Sequence, residues 1–266
     1  MRSPVPEKLT QSLGASVVVL LCIFAVGALQ RPQLQKLTNQ GITASPQTLQ
    51  RQVETEREQL DVFKLLPAFG FDNLLANWIF LGFLQYFGDD EARALTAYGN
   101  SLNYFDVIID RDPRFLEAYY FLSATGSIYT GMPEKTVALM NQGLKYLSPK
   151  VPPKSYYIWR LKAIDELLFL GDTKAARQSF ETAAEWASAY NDEESQTLAA
   201  VSRRTANFIA QNPESKNAQV SAWSMVLNTA VDDRARRIAI NRIRELGGDV
   251  SITPEGGVQI ILPEED

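Results

Sequence analysis

The sequence predicts an all-α fold: antiparallel helix pairs stacked as an α-solenoid behind an N-terminal transmembrane helix, with a small C-terminal β-hairpin. Three observations predict it. Residues 165–186 read DELLFLGDTKAARQSFETAAEW. A glycine there closes one apolar helix, and a second helix carries Ala176, Phe180 and Ala183 at spacings of four and three. Small residues at the ends of that triplet let two helices approach, and the aromatic between them fills the gap. Residues 13–29 form a charge-free run of 17 residues. Residues 250–262 switch to an alternating pattern interrupted by Pro-Glu-Gly-Gly, which reads as two short strands and a turn.

Composition narrows the function before any motif is read. The formal charge of −5 argues against a nucleic-acid binder, which needs a basic face. There are 0 histidines, so the commonest general base and metal ligand is missing. The single cysteine, Cys22, lies in the apolar run, which excludes an internal disulfide and an accessible thiol nucleophile in the folded part. Apolar residues at 45% and aromatics at 10% suffice for a packed core.

Residues 1–30 form the first region. Arg2 and Lys8 precede the apolar run, whose helical length of about 25 Å approaches the thickness of a bilayer core. As a signal anchor it stays and tethers the chain. As a signal peptide it is cut after Ala28, with Val26 and Ala28 small enough for the cleavage site. A buried core helix is the third reading. The run is longer than an ordinary signal core, which favours the anchor.

Residues 31–70 read as a polar stalk broken by Pro32 and Gly41, then an amphipathic helix. Ser45-Pro46 starts that helix, Leu49, Val53, Leu60 and Phe63 trace its apolar face, and Pro67 stops it. Residues 71–190 carry the paired helices. Gly88-Asp89, Gly131 and Gly171 mark turns, and Thr136, Met140 and Gly143 repeat the small, large, small order. In the first pair the closing residues Phe105, Ile108 and Pro113 arrive late, as if displaced by an insertion. Asp172, at a turn, is expected to matter far less to stability than Ala176. Residues 191–248 read as degenerate repeats or capping helices, the last of them basic from Arg234 to Arg244. Residues 249–266 hold the hairpin and an acidic tail.

Chemistry finds little footing. The clusters Asp89-Asp90-Glu91, Asp192-Glu193-Glu194 and Glu264-Glu265-Asp266 fall at helix starts or the chain end, where negative charge favours the helix dipole or stays solvated. The basic stripes, at Arg203-Arg204 and along 234–244, read as solvated faces before they read as sites for acidic partners. No phosphate loop, nucleophile elbow or C-x-x-C motif is present. No catalytic residue, cofactor or metal site is assigned, no small-molecule substrate is expected, and an enzyme built only on Asp, Glu, Tyr or Lys is disfavoured.

The glycine, small, aromatic, small order of residues 171–183 resembles the second half of the tetratricopeptide repeat, and Trp78-x-x-Leu81-Gly82 resembles its opening. The resemblance spans about residues 71–190 and implies a scaffold that binds protein. By the family's register, the partner-facing positions fall on Ile79, Phe83, Tyr86 and Phe87 in the first unit. They fall on Phe121, Thr125, Ile128 and Tyr129 in the second, and on Leu161, Asp165, Leu168 and Phe169 in the third. The face lacks the lysine, arginine and asparagine of the members that clamp a C-terminal carboxylate. An apolar groove of this kind either accepts a hydrophobic partner helix or is filled by the chain's own C-terminal helices.

The strings LLANWIFLGFLQYFGDDEAR, RDPRFLEAYYFLS and GMPEKTVALM look like a family of cyanobacterial membrane-anchored helical-repeat proteins. That likeness implies a photosynthetic setting, in the thylakoid or plasma membrane. The expectation is a single-pass protein held by residues 13–29, its N-terminus cytoplasmic and its body on the extracytoplasmic or luminal side. It would scaffold the assembly or stability of a membrane complex whose subunits are its partners. An exported or envelope helical-repeat domain with a structural role is the alternative.

Overall fold

The computed structural model describes Phe24, residues 26–28, Gln30, Arg31 and residues 46–266 other than 214, 229, 231–232, 253–257 and 264–266. Two compact units divide the chain, Met1–Arg51 and Gln52–Asp266. In the first, the described residues are helical, and Phe24 and Val26 are exposed. Most of the expected anchor at 13–29 lies outside the described residues, as do the stalk at 32–45, the Pro254-Glu255-Gly256-Gly257 turn and the tail Glu264-Glu265-Asp266. Among the described residues no helix is long and apolar enough to cross a membrane.

The described chain is mostly helical. α1 (Pro46–Leu65) enters the second unit and is followed by α2 (Asp72–Gly88), a short α3 (Asp90–Thr96) and α4 (Ser101–Arg111). α5 (Leu116–Ser123) continues into a π-helical turn (Ala124–Tyr129), and α6 (Pro133–Leu144) follows. The remaining helices are α7 (Tyr156–Leu168), α8 (Thr173–Ala187), α9 (Glu193–Gln211), α10 (Lys216–Asn228) and α11 (Asp233–Glu245). The expected hairpin is present: β1 (Asp249–Ile252) pairs antiparallel with β2 (Val258–Ile261), Val250 opposite Ile260.

Local chemistry sets the boundaries. Asp89, Asp172 and Asp192 precede α3, α8 and α9, and each side chain accepts a hydrogen bond from the backbone N–H three residues on, at 3.0, 2.9 and 3.0 Å. Each such bond satisfies one orphan donor of the first turn. The Asp172 carboxylate thus caps α8, a role the sequence reading did not give it. Gly131 and Gly171, at φ +65° and +64°, take the left-handed conformation that ends a helix without a Cβ clash.

α2 packs on α4, α4 on α6, and α6 on α7. Their core is aromatic, with Phe83, Phe105 and Tyr119 fully buried beside Leu102, Ile108 and Met140. α3 and the turn after it separate α2 from α4, which accounts for the late closing residues of the first pair. α7, α8 and α9 then pack in succession, joined by short turns. Ala176, Phe180 and Ala183 are each 0% exposed, and the small, aromatic, small spacing closes that stack. The chain next reverses onto itself. α10 packs on α7, and α11 packs on α10 and carries the hairpin.

One feature departs from the motif reading. Trp78 and Leu81 of the W-x-x-L-G string stand on the solvent side of α2, and the helix buries Ala76, Ile79, Phe83 and Tyr86. That helix is apolar all round, so the string alone could not show which face α4 covers.

Candidate functional site

The expected groove positions lie largely inside the protein. Ile79, Phe83, Tyr86, Thr125, Tyr129, Leu161 and Asp165 are buried, and Phe87, Phe121, Ile128, Leu168 and Phe169 are half-buried. Residues of the first two units meet in the aromatic core: Phe83 and Phe121 have ring centroids 5.9 Å apart, and Phe87 and Tyr129 5.1 Å. Those of the third unit meet α10, where Phe169 sits edge-on to Trp223 at 5.3 Å.

The cover comes from the C-terminal helices. Val226 of α10, Ala230 between the two helices and Ala235 of α11 close over Tyr120, Ile128, Leu161 and Phe169. Arg234, exposed like the rest of its stripe, also places its guanidinium over the rings of Tyr129 and Tyr98, 4.9 and 5.4 Å from their centroids. The attraction of a cation to two ring faces contributes on the order of 0.5–1 kcal/mol at such an exposed position. The remaining arginines of α11 fit the solvated reading, with Arg236, Arg237, Arg242 and Arg244 exposed.

Beneath this cover is a cavity of about 30 Å³ bounded by Tyr120, Ser123, Ile164 and Asp165 among others. A space of that size admits one or two waters. Asp165 is 0% exposed, and neither carboxyl oxygen closes a hydrogen bond of normal geometry. Burial pushes its pKa up to about 8; the Ser127 and Ser123 hydroxyls oppose that shift, and the charge of Glu166 adds to it. At neutral pH the group is therefore mostly a protonated acid, able to donate as well as accept. Glu166 offers it no second acid for paired catalysis, because Glu166 is engaged elsewhere.

Glu166 belongs to a buried triad. Lys162 Nζ meets Glu166 Oε1 at 2.6 Å and donates to Ser179 Oγ at 2.9 Å, and Ser179 donates to Glu166 Oε2 at 2.6 Å. The three link α7 to α8. A second polar junction is Arg111. Its Nη1 binds Asp72 at 3.0 Å, and its Nη2 donates to the carbonyls of Phe63, Lys64 and Leu66 at 2.7, 2.8 and 2.6 Å. It ties α4 to the end of α1. Neither junction was singled out from sequence. An acid four residues after a lysine on α7 was a readable signal for the first, and an arginine ending α4 gave none for the second.

Among the described residues no group of three acidic or thiol side chains stands close enough to hold a metal ion. The arrangement offers a binding or structural surface and one buried acid beneath α10 and α11. No family model, curated protein or solved structure matches the chain.

Proposed function

We propose that the protein is a membrane-tethered helical-repeat scaffold, of tetratricopeptide-like design, that holds subunits of a membrane complex during assembly or stabilises them afterwards. The observation that carries the reading is the succession α7, α8, α9, closed by fully buried Ala176, Phe180 and Ala183. Helix hairpins packed that way extend by stacking, and stacked hairpins present long surfaces to other proteins. The uncharged run at 13–29 supplies the tether, and the likeness to cyanobacterial anchored repeats suggests a photosynthetic membrane. Ile128, Leu161, Asp165 and Phe169 lie under α10 and α11, and Ile79, Phe83 and Tyr86 are buried in the core with α4, so in this reading partners meet the outer faces of the stack.

Chemical cross-linking of the full chain in native membranes, followed by mild-detergent purification and mass spectrometry, tests the reading. Cross-links from exposed α8 or α9 residues, such as Lys174 or Glu193, to subunits of one complex are expected. Cross-links confined to the chain itself, with the protein purifying alone, refute it.

A further inference from the structure

Seven large apolar side chains between Leu65 and Leu81 face solvent: Leu65, Leu66, Phe69, Phe71, Leu74, Trp78 and Leu81 are between 43% and 86% exposed. The last four follow at steps of three, four and three, so they share one face of α2 and its start, about 15 Å long. Leu65 ends α1, and Leu66 and Phe69 belong to the turn that leads into α2. A patch of this extent on a folded surface marks something that covers it.

The patch is also held in place. From Leu65 to Gly88 the only charged residue is Asp72, and Arg111 binds it. The same guanidinium gathers the carbonyls of Phe63, Lys64 and Leu66, so the turn is fixed to α4. At its tip Phe69 sits at φ +50°, a region in which a bulky residue is strained, and its ring is 86% exposed. Strain and exposure together present an aromatic outward with little packing from the chain to offset them.

We propose that this face is a lipid-docking surface: α2 and the turn before it lie at the boundary between headgroups and acyl chains of a bilayer. The polar neighbours of this face, Asn73, Asn77 and Gln85, are few and carry no charge, whereas a protein interface fixes its register with about one hydrogen bond per 100–200 Å². A bilayer asks for no register, and tryptophan and phenylalanine suit its interfacial zone. The proposal rests on the membrane-tethered reading for one thing, proximity. Residues 32–45, between the apolar run and α1, extend to about 50 Å at most, so a tethered body stays within reach of the lipid. The face then supplies a second attachment and sets which side of the helix stack turns outward.

The test uses the full chain carrying Cys22→Ser and one reporter cysteine, at Leu74→Cys, Trp78→Cys or, as control, the exposed Glu185→Cys on α8. Each is labelled with an environment-sensitive fluorophore and reconstituted into phosphatidylcholine–phosphatidylglycerol vesicles. Exposed positions leave the core intact, which a melt verifies. Labels at 74 and 78 are expected to shift to the blue and to be quenched several-fold more by spin-labelled lipid than the label at 185. Equal access of aqueous iodide to 78 and 185, in a chain that still resists carbonate washing, overturns the proposal and leaves the tether standing. Protection in native membranes but not in pure lipid overturns it in favour of a protein partner. Disulfide dimers through Trp78→Cys overturn it in favour of a second copy. Release of the chain by carbonate, with lipid quenching at 74 and 78 present before the wash, removes the tether but keeps the docking face.

Discussion

Replacing Asp165 with asparagine isolates the buried acid beneath α10 and α11. The side chain is fully buried, and its pKa is pushed from the ordinary 3.8 up to about 8, chiefly by burial. An acid with a raised folded pKa keeps its proton in the native state after the unfolded chain has lost it. Its contribution to stability is therefore whole below pH 3.8 and falls as pH rises toward 8, by roughly 1.4 kcal/mol per pH unit. At pH 7 the wild-type chain has lost about 4 kcal/mol relative to acid conditions. Asp165→Asn keeps the shape and the facing serine hydroxyls but does not titrate, so its advantage over wild type should grow by about 2 kcal/mol between pH 6 and pH 8, flattening above that. Urea unfolding followed by far-ultraviolet circular dichroism, with the chain in mild non-ionic detergent, measures the difference at each pH. A difference constant from pH 6 to pH 8 would refute the reasoning, because it would mean that Asp165 is already ionised in the fold.

Four further variants probe the packing. Ala176→Leu forces extra methylenes into a contact where the native side chain is 0% exposed, and should lower stability by about 1–3 kcal/mol; an unchanged melt removes the close α7–α8 contact. Asp172→Ala removes the carboxylate that accepts from the Ala175 N–H, with an expected loss of about 1 kcal/mol in the same melt. Gly143→Ala would place a Cβ 1.7 Å from the Tyr119 hydroxyl, which is held by the Pro113 carbonyl at 2.8 Å. A loss of about 2 kcal/mol is expected despite alanine's better helix propensity. Phe121→Ser with Tyr129→Ser reaches into the aromatic core and should cost more than about 3 kcal/mol; a stable double variant that loses its partners would instead reveal an open groove.

The legible parts of this fold were those written locally. Ala176, Phe180 and Ala183 announce a close helix pair because their spacing matches one helix face. Gly131 and Gly171 announce turns because few other residues take their backbone angles easily. The site was less legible, since periodicity names a face but not its cover. Phe87, Tyr129 and Asp165 fall on the concave side by register, yet the helices that close over them, α10 and α11, lie far downstream, more than a hundred residues beyond Phe87. α2 shows the limit most clearly. With apolar residues on every side, its sequence could not tell that Phe83 is core and Trp78 is surface. Arg234 is a milder case, an exposed charge that also rests on two tyrosine rings.

The Lys162–Glu166–Ser179 triad has a bearing on how the helices find their alignment during folding. Alanine and phenylalanine contacts are forgiving, and α8 shifted by one turn along α7 would still bury apolar surface. Such a slip would leave the Lys162–Glu166 pair of α7, both residues under 10% exposed, without the Ser179 hydroxyl that bridges them. Buried charged groups left short of those hydrogen bonds weigh against the slipped state by on the order of 1–3 kcal/mol. The triad thus acts as a key between two smooth surfaces, rejecting near-native mispairings that the hydrophobic pattern alone would tolerate.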